Sequence, residues 1–548
     1  MFVILTLSLK KFIVLSKHPT KQNEPNELFM KPSFELFRLV KSLSKSEKRF
    51  FKLMSSLQSG EKNYLKLFDA IDKQKEYDEE AIKTQFKNEV FIRHLPSEKN
   101  HLYKLILKSL RLFYAENSIS AILAENIQSI EILYHRALYS ECAKLVRKAK
   151  KLAESHERFY YLFELIKWEK ILLEEEFQSG KFDRDLNKLN AEEQRVIQKL
   201  RNLAEYQILY SKINYVFRQG GFVRNEKEHK MVFEIQMHEL IKGKNTALSK
   251  RAAATCYYVK GLCAITSNEV EESFANFTKV VNIFEENPNL IQDIPKQYIK
   301  SLGNLFYYFL RVGDYDKLFE LIQKMRSLKD QPGFKRAGIQ VRIYISTTYF
   351  ELMAHERRGD YGSALDMIQD IKQNLEAFGD KLNKEDQVLF DHLMANVYFG
   401  AGQYREALRQ LNPLMNDKEV NLRQDIYSFS KLMMLLIHYE LGNFDLLDYM
   451  VKSTERYFLK RRKADGEGSD FELSFIKAFK AVVRSARNAR RKTESLTHLL
   501  DELKNTVADE NESVALEYFD YITWVEAKLK STSYGKLKRK LYIDDVLS

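Results

Sequence analysis

The stretch that decides the fold is Ala395-Asn-Val-Tyr-Phe-Gly-Ala-Gly402-Gln-Tyr-Arg-Glu-Ala-Leu408. It ends one amphipathic helix and begins the next, with a glycine at the turn and an aromatic residue two positions later. Glycine accepts the left-handed backbone that closes a helix C-terminus, because it has no Cβ to clash there. Tyr404 then packs back on the preceding helix, while Ala395 and Ala407 let the helices approach closely. The stretch therefore predicts two antiparallel helices joined by a tight turn.

The same Gly-x-aromatic turn recurs along the chain at nearly even intervals. Its occurrences are Gly180-Lys-Phe182, Gly313-Asp-Tyr315, Gly359-Asp-Tyr361, Gly402-Gln-Tyr404 and Gly442-Asn-Phe444. The last four glycines are 46, 43 and 40 residues apart. Gly220-Gly-Phe222 has a similar form, whereas Thr266-Ser267-Asn268 is a polar break without a glycine. One kind of turn at such intervals is typical of a helical repeat array.

The remainder of the chain favours an all-α fold. From Ser33 onward apolar residues recur every three or four positions, as in Phe34, Phe37 and Val40. The 548 residues include only 19 Gly and 8 Pro, which disfavours folds that need many tight turns. The apolar run 341–346 comes nearest to a strand, but helical spacing continues beyond it. The predicted class is all-α, an α-solenoid of stacked antiparallel helix pairs with divergent helical caps.

The deciding stretch resembles a tetratricopeptide repeat. In that family a small residue, a tyrosine, a glycine, an aromatic residue and an alanine recur at the offsets of Ala395, Tyr398, Gly402, Tyr404 and Ala407. The resemblance covers the chain from about residue 120 to about residue 460. It implies stacked helical hairpins whose surface binds other proteins or peptides.

The other turns match the family pattern in part. Gly359, Tyr361 and Ala364 match its second half, whereas Leu318 and Leu447 stand where the family has alanine. The period of 40–46 residues exceeds the 34 of the family. The difference predicts longer helices or extra turns, and helix pairs of armadillo-like length are the alternative. The opening stretch from Lys31 to Phe51 is also similar to the start of uncharacterised bacterial repeat proteins.

The boundaries follow from where the glycine turns stop. Residues 1–29 are predicted to be a disordered extension or a misassigned start, with a membrane-associating or export segment as the alternative. Residues 30–115 are predicted to form an N-terminal helical cap, and residues 116–460 the repeats. Residues 461–548 are predicted to form a C-terminal basic and acidic helical cap, because the open ends of a solenoid must be covered. No stable membrane span is predicted, since no apolar stretch in the first thirty residues approaches about 20 residues.

No pattern in the sequence indicates a reaction centre. Cys142, Cys256 and Cys263 include no Cys-x-x-Cys pair and no histidine at ligand spacing, which predicts buried thiols and no metal site. So few cysteines also favour a reducing, cytoplasmic location. Neither a phosphate-binding glycine loop nor a nucleophile elbow occurs in the sequence. The chain is therefore predicted to be non-catalytic and to use no cofactor.

The distribution of charge supports an alternative function. The net charge is +12, and a basic segment, residues 452–492, precedes an acidic one, residues 493–527. We predict residues 471–492 as one basic helix, on which Arg484, Arg487 and Arg491 share a face and are candidate phosphate contacts. Pairing with the acidic segment is the other interpretation.

Taken together, these patterns predict a non-catalytic protein–protein interaction scaffold. Its expected partners are other proteins or peptides, bound along the surface of the stacked helices. The alternative is a nucleic-acid-associated regulator that uses the basic terminal helices, with the repeats as a sensor or partner-binding module. In either case residues 512–530 are predicted to form a closing helix that carries Trp524.

Overall fold

A computed structural model describes residues 32–547 except for 57–62, 115–117, 176–181, 221–222, 224–225, 417–422, 466–469 and 487. The predicted extension, residues 1–29, lies outside the described residues. Every regular element in the described part of the chain is a helix, which confirms the predicted all-α class. The chain divides into two units, Met1–Asn117 and Ser118–Ser548.

The first unit is a small helical bundle. Its helices are α1 Pro32–Ser42, α2 Lys45–Ser56, α3 Asn63–Lys73, α4 Glu79–Gln85 and α5 Leu95–Phe113, with a 3-10 turn Val90–His94 before α5. Helix α5 packs on α1, α2 and α3, and Val40, Phe68 and Ile106 lie in the shared core. The bundle thus has a hydrophobic core of its own.

The second unit is a series of helices in which chain neighbours pack on each other. The helices are α6 Ile119–His135, α7 Tyr139–Ser155, α8 Phe159–Glu175, α9 Phe182–Gly220, α10 Glu226–Gln236, α11 Lys250–Thr266, α12 Val270–Glu285, α13 Pro288–Asp293, α14 Pro295–Arg311, α15 Tyr315–Ser327, α16 Ala337–Arg357, α17 Tyr361–Phe378, α18 Lys384–Gly400, α19 Tyr404–Asn416, α20 Gln424–Glu440, α21 Phe444–Asp465, α22 Asp470–Ser485, α23 Ala489–Thr506, α24 Glu510–Ser513, α25 Tyr521–Leu529 and α26 Tyr534–Leu547. None of the described helices combines the length and the apolar composition needed to cross a bilayer.

From α11 onward the helices form successive pairs. We call α11, α14, α16, α18, α20 and α22 the first helices, and α12, α15, α17, α19, α21 and α23 the second helices. Each first helix packs on its second helix, and from α14 to α22 each first helix also packs on the next first helix. Such packing between neighbouring pairs defines a helical repeat solenoid.

Four of the turns within these pairs close on a glycine in the left-handed region. Gly313, Gly359, Gly402 and Gly442 have φ values of +76°, +64°, +76° and +73°. At each of them the next residue donates its N–H to the carbonyl five positions back, for example Gln403 to Tyr398 at 2.8 Å. This bond is the outer one of a Schellman motif, which satisfies carbonyls at the helix end.

Side chains around the turns fix the start of the second helix and the pairing. Asp314 accepts a hydrogen bond from the Lys317 N–H at 3.1 Å and so caps α15. Ala364, Ala395 and Ala407 are fully buried between helices. Of the remaining predicted turn residues, Gly180 lies outside the described residues, and α9 begins at Phe182.

The long interval between glycines has two sources. Between Gly313 and Gly359 the chain forms α15 of 13 residues, a 3-10 turn Leu328–Asp330 and α16 of 21 residues. The interval therefore contains both a long helix and an extra turn.

Two helices predicted near the C-terminus are wrong. The single basic helix over 471–492 is interrupted, because α22 ends at Ser485 and Asn488 caps α23 by accepting the Arg491 N–H at 3.1 Å. The single closing helix over 512–530 is a 3-10 turn, Val514–Glu517, followed by α25. Asn and Asp compete for backbone donors and so start new helices at these points.

Candidate partner-binding groove

The first helices curve around one short stretch of the chain. Glu517 contacts α14 and α16 through Arg311 and Arg357, Tyr518 contacts α18 and α20, and Tyr521 contacts α22. Helices pack about 8–10 Å apart, so five in a flat layer would span about 32–40 Å. Residues 517–521 span at most about 17 Å. Side chains of five first helices therefore converge on this short stretch, and we call the surface that they form the groove.

The groove holds a segment of this same chain. We call residues 514–520, the 3-10 turn Val514–Glu517 and the three residues up to α25, the groove segment. Val514, Ala515 and Phe519 are buried, and Phe519 packs edge-on against Phe399 of α18 with ring centroids 5.2 Å apart. The groove segment packs against first helices and also against Tyr534 of α26, on whose ring Phe519 stacks with centroids 5.0 Å apart.

A carboxylate of the groove segment lies between two guanidinium groups. Glu517 forms an ion pair with Arg357 of α16, and its Oε1 is 3.5 Å from Nε of Arg311 of α14. Burial alone would lower the pKa of Arg357, but the Glu517 carboxylate outweighs burial and raises that pKa. Arg311 and Arg357 belong to neighbouring repeats, so the Glu517 carboxylate links these two repeats.

Next to Glu517, a tyrosine reaches a buried aspartate. The Tyr518 hydroxyl donates to Oδ2 of Asp425 at 2.5 Å, and Arg423 donates to the same oxygen at 2.6 Å. Burial alone would raise the pKa of Asp425, but Arg423 and the Tyr518 hydroxyl hold this pKa below its usual value. The Tyr518 ring stacks on Phe429, with centroids 4.2 Å apart and planes at 16°.

Two side chains of α18 bind the backbone of the groove segment. Asn396 donates to the Tyr518 carbonyl oxygen at 2.7 Å, and Nε2 of His392 lies 3.1 Å from the same oxygen. Burial lowers the pKa of His392 to about 4, so the ring is neutral near pH 7. A neutral ring that donates from Nε2 accepts at Nδ1, where the Ser430 hydroxyl lies at 2.8 Å. Bonds to a backbone carbonyl oxygen hold the groove segment without selecting a side chain.

Aromatic residues continue the contact beyond the groove segment. In α25, Tyr521 packs against Phe475 of α22 with centroids 5.3 Å apart. Trp524 is fully buried, and its Nε1 donates to Oε1 of Glu440 at 2.7 Å. Its indole also packs edge-on against Tyr439 at 5.5 Å. Helix α25 packs on α23 as well, so it continues the stack while its aromatic side chains face α20 and α22.

Helix α26 covers the turns at the edge of the groove. Its Lys538 forms an ion pair of 2.7 Å with Glu356 of α16. A Cβ on Gly359 would lie 2.6 Å from the backbone nitrogen of Arg539, and a Cβ on Gly535 would lie 2.2 Å from the Gly400 carbonyl oxygen. Glycine at 359 therefore serves both the left-handed turn and the close approach of α26.

The predicted turn residues lie beside the groove rather than in it. A Cβ on Gly400 would lie 2.0 Å from a ring carbon of Tyr361. Tyr361 therefore occupies the space that a side chain at position 400 would need. Tyr398 faces α17, where its hydroxyl is 3.2 Å from Nζ of Lys372. Phe444 packs edge-on against Tyr439 with centroids 5.7 Å apart. These residues shape the helix pairs, and the polar contacts to the groove segment come from other side chains.

The candidate phosphate contacts are placed on two different helices. Arg484 is exposed in the last turn of α22, and Arg491 is exposed in the first turn of α23. Arg487 lies outside the described residues. The neighbouring Arg490 pairs with Glu494 on its own helix at 3.2 Å. The shared helical face that was predicted for Arg484 and Arg491 is therefore wrong.

Sequence reasoning missed the residues that contact the groove segment. Arg311, Arg357, His392, Arg423 and Asp425 are single polar residues without a motif. Their signal is position, because a charged or imidazole side chain within or at the end of a largely apolar, buried first helix needs a partner. Helix α20 shows the pattern, since Asp425 precedes a nearly continuous run of buried residues.

The cysteines and acidic residues form no cluster of metal-binding type in the described part of the chain. Cys142, Cys256 and Cys263 are buried free thiols. Burial raises the pKa of Cys263 to about 12, so this thiol stays protonated at neutral pH.

Compared with models of known protein families and with curated proteins, the chain matches none. No residue role is therefore carried over from a relative. The contacts between the groove and the segment that it holds are what support a function.

Proposed function

We propose that this chain is a non-catalytic protein–protein interaction scaffold built on tetratricopeptide-like helical repeats. One observation carries the proposal: the groove holds a peptide segment by aromatic anchors, by a carboxylate between two arginines and by bonds to a backbone carbonyl. Protein–protein interfaces use these same elements, with buried aromatic and arginine residues contributing most of the binding energy. A surface built to hold one peptide in this way suits a partner protein.

The turns support the tetratricopeptide-like assignment of the repeats. The small residues Ala395 and Ala407 are buried, and Gly402 has the left-handed backbone that its place in the family pattern requires. Leu318 and Leu447 are also fully buried at the positions where the family has alanine. These larger side chains fit between longer helices, so we assign the repeats to a divergent type. Three buried free thiols agree with the reducing, cytoplasmic location that we propose.

Affinity capture with the purified full chain tests this function. The chain is immobilised and exposed to native lysate with and without nuclease, and the retained proteins are identified by mass spectrometry. We expect a defined set of proteins to be retained after nuclease treatment. The matched control is the Arg484→Ala/Arg491→Ala variant, which should retain the same set.

Two outcomes would contradict the scaffold function. Retention that disappears with nuclease, or with Arg484→Ala/Arg491→Ala, would favour the nucleic-acid-associated regulator instead. Direct binding of DNA or RNA that weakens steeply with salt would support that alternative. Retention of no protein under any of these conditions would also count against a scaffold.

A further inference from the structure

Building on the function proposed above, on which this inference rests, we propose that the groove is closed by its own groove segment. It opens for a partner protein whose bound stretch has the same chemistry, a carboxylate followed directly by two aromatic residues. In the groove segment these residues are Glu517, Tyr518 and Phe519. The partner is thus a competitor of residues 514–520, and the chain itself shows what the competitor looks like.

The polar lining of the groove supports reversible contact. Burying a charge is costly unless it is paired, and a permanent core is filled as well by apolar residues. Yet Arg357, Asp425 and His392 all direct their polar atoms at the groove segment. Interfaces between proteins that bind and separate are more polar than cores, since each surface must also be stable in water. The groove has the composition of such an interface.

The contacts of the groove segment join parts of the chain that are far apart in sequence. The Tyr518 hydroxyl donates to Asp425, and the Tyr518 carbonyl oxygen accepts from Asn396 and His392, residues that are 93, 122 and 126 positions away. The first helices meanwhile pack on each other directly. The first helices therefore contact one another independently of their contacts with residues 514–520.

Each contact selects one feature of the ligand. Arg311 and Arg357 select a carboxylate, and Asp425 selects a hydroxyl donor on the next side chain. Phe399 packs against the following aromatic ring. The bonds from α18 to the carbonyl oxygen add affinity without selecting a side chain. The expected ligand is therefore a Glu-Tyr-Phe type of sequence in a partner protein.

Tethering decides how strongly the groove segment competes. A ligand on a short tether has an effective concentration in the millimolar range. A free peptide of equal intrinsic affinity at micromolar concentration is therefore almost excluded. Weakening the tethered contact should raise the apparent affinity for that peptide, and a natural partner would need additional contacts.

A fluorescent synthetic peptide of residues 512–520 provides the direct test. Its binding is measured by fluorescence anisotropy against the full chain and against the Glu517→Gln/Tyr518→Phe variant. These changes preserve side-chain size, so the variant should stay folded, which circular dichroism checks. We expect the variant to bind the peptide at least about tenfold more tightly than the unchanged chain, because its tethered competitor has lost charge-assisted hydrogen bonds.

Two matched controls distinguish competition by the groove segment from a general destabilisation of the chain. The first places Glu517→Gln and Tyr518→Phe in the peptide instead of in the chain, which should abolish detectable binding. The second is a Tyr160→Phe/Glu494→Gln chain, in which an exposed tyrosine on α8 and an exposed glutamate on α23 receive the same changes. This chain should bind the peptide as weakly as the unchanged one.

Hydrogen exchange of the unchanged chain gives a second measurement that needs no variant. Amides of residues 514–520 should exchange faster than buried amides of α18 and α20, since local release requires less than unfolding of the repeats. Saturating peptide should increase their exchange further. Exchange of residues 514–520 at the rate of α18 and α20, unaffected by peptide, would overturn the inference.

The remaining outcomes are equally decisive. A folded Glu517→Gln/Tyr518→Phe chain that binds no more peptide than the unchanged chain would refute displacement. A dimer of that variant, detected by light scattering, would assign the groove to a second copy and also refute a separate partner. If the affinity capture described above still retains proteins, the scaffold function stands and only the closure of the groove fails.

Discussion

Two buried aspartates of the second unit lie among arginines but differ in what they connect. The side chain of Asp293, at the end of α13, is 3% exposed, and it lies 2.7 Å from Arg251, 3.1 Å from His156 and 3.4 Å from Arg158. Asp425, in the first turn of α20, binds Arg423 at 2.6 Å and Tyr518 at 2.5 Å. We call these groups the Asp293 cluster and the Asp425 cluster.

The difference between the clusters lies in where the partners come from. All partners of Asp293 belong to the region before α14, and Glu157 in the same turn as His156 accepts the N–H groups of Lys250 and Arg251, each at 2.7 Å. The Asp293 cluster thus fastens the α7–α8 turn to the start of α11. Tyr518 instead reaches Asp425 from the groove segment. Similar chemistry therefore joins helices of the stack in one place and holds the groove segment in the other.

The largest expected effect is on the Asp293 cluster. Asp293→Ala removes the carboxylate and leaves two arginines facing each other, which should destabilise the chain by about 4 kcal/mol. Chemical denaturation gives the free energy of unfolding. Peptide affinity should not change when Asp293→Ala is added to the Glu517→Gln/Tyr518→Phe chain.

The control for this prediction is Asp448→Ala. Asp448 forms an exposed ion pair with Lys452 at 2.7 Å. Exposed pairs of this kind contribute about 1 kcal/mol or less. Equal effects of Asp293→Ala and Asp448→Ala on unfolding would show that the Asp293 cluster does not fasten the repeats.

The next largest expected effect is a dependence of the stability of the chain on pH. It arises from His392, which binds the carbonyl oxygen of Tyr518 beside the Asp425 cluster. The pKa of His392 is lowered to about 4 in the folded chain, from a usual value of about 6.5, chiefly by burial. The unfolded chain therefore binds a proton that the folded chain does not between these values. The stability contributed by the neutral ring is complete above about pH 6.5 and falls by about 3 kcal/mol as the pH drops through 4.

The measurement compares the chain with His392→Gln at several pH values. Burial also raises the pKa of Asp391 to about 6, and this shift works in the opposite direction, because its contribution is lost as the pH rises through 6. The difference between the two chains cancels the Asp391 effect. We expect the stability advantage of His392 at pH 7 to shrink towards pH 4, and an advantage that is constant with pH would contradict a neutral buried ring.

A substitution at Gly402 destabilises a turn that belongs to neither cluster, so its effect on stability can be compared with the effects of changes in the two clusters. The backbone φ of +76° disfavours a β-branched residue, while no atom lies within 4 Å of an added Cβ. Gly402→Val should therefore destabilise the chain by about 2 kcal/mol through backbone strain alone. The control is Gly303→Ala in α14, where space is also open and alanine should stabilise by about 0.5–1 kcal/mol. A thermal midpoint unchanged by Gly402→Val would refute the strain.

The sequence predicted the repeats wherever their turns are local and contain glycine. It missed the turns at Ala137 and Glu157, which have φ values of +57° and +50° and the same backbone bonds as the glycine turns. At these positions a residue other than glycine adopts the left-handed backbone, so no glycine in the sequence indicates the turn. The break between α22 and α23 was missed for a related reason, because the spacing of apolar residues continues across the Asn488 cap.

The groove could not be predicted, because it depends on contacts between distant residues. Nothing near Tyr518 in the sequence indicates Asp425 or His392 as its partners. The sequence suggests that the acidic residues of 493–527 pair with the basic segment that precedes them. Glu517, however, pairs with Arg311 and Arg357 of two earlier repeats. Local periodicity defines helices, whereas the path of the chain after α23 depends on the curvature of the whole stack.

The smallest effect distinguishes the two clusters most directly. Tyr518→Phe removes one hydroxyl and leaves the ring stacked on Phe429, so the stability of the chain should fall by about 1.5 kcal/mol, the value for a hydrogen bond to a charged group. The same change should increase binding of the 512–520 peptide, because the tethered segment competes less well. Asp293→Ala should lower stability more and leave peptide binding as it was. If Tyr518→Phe lowers stability without increasing peptide binding, the Asp425 cluster is a structural joint like the Asp293 cluster, and its different partner has no consequence for recognition.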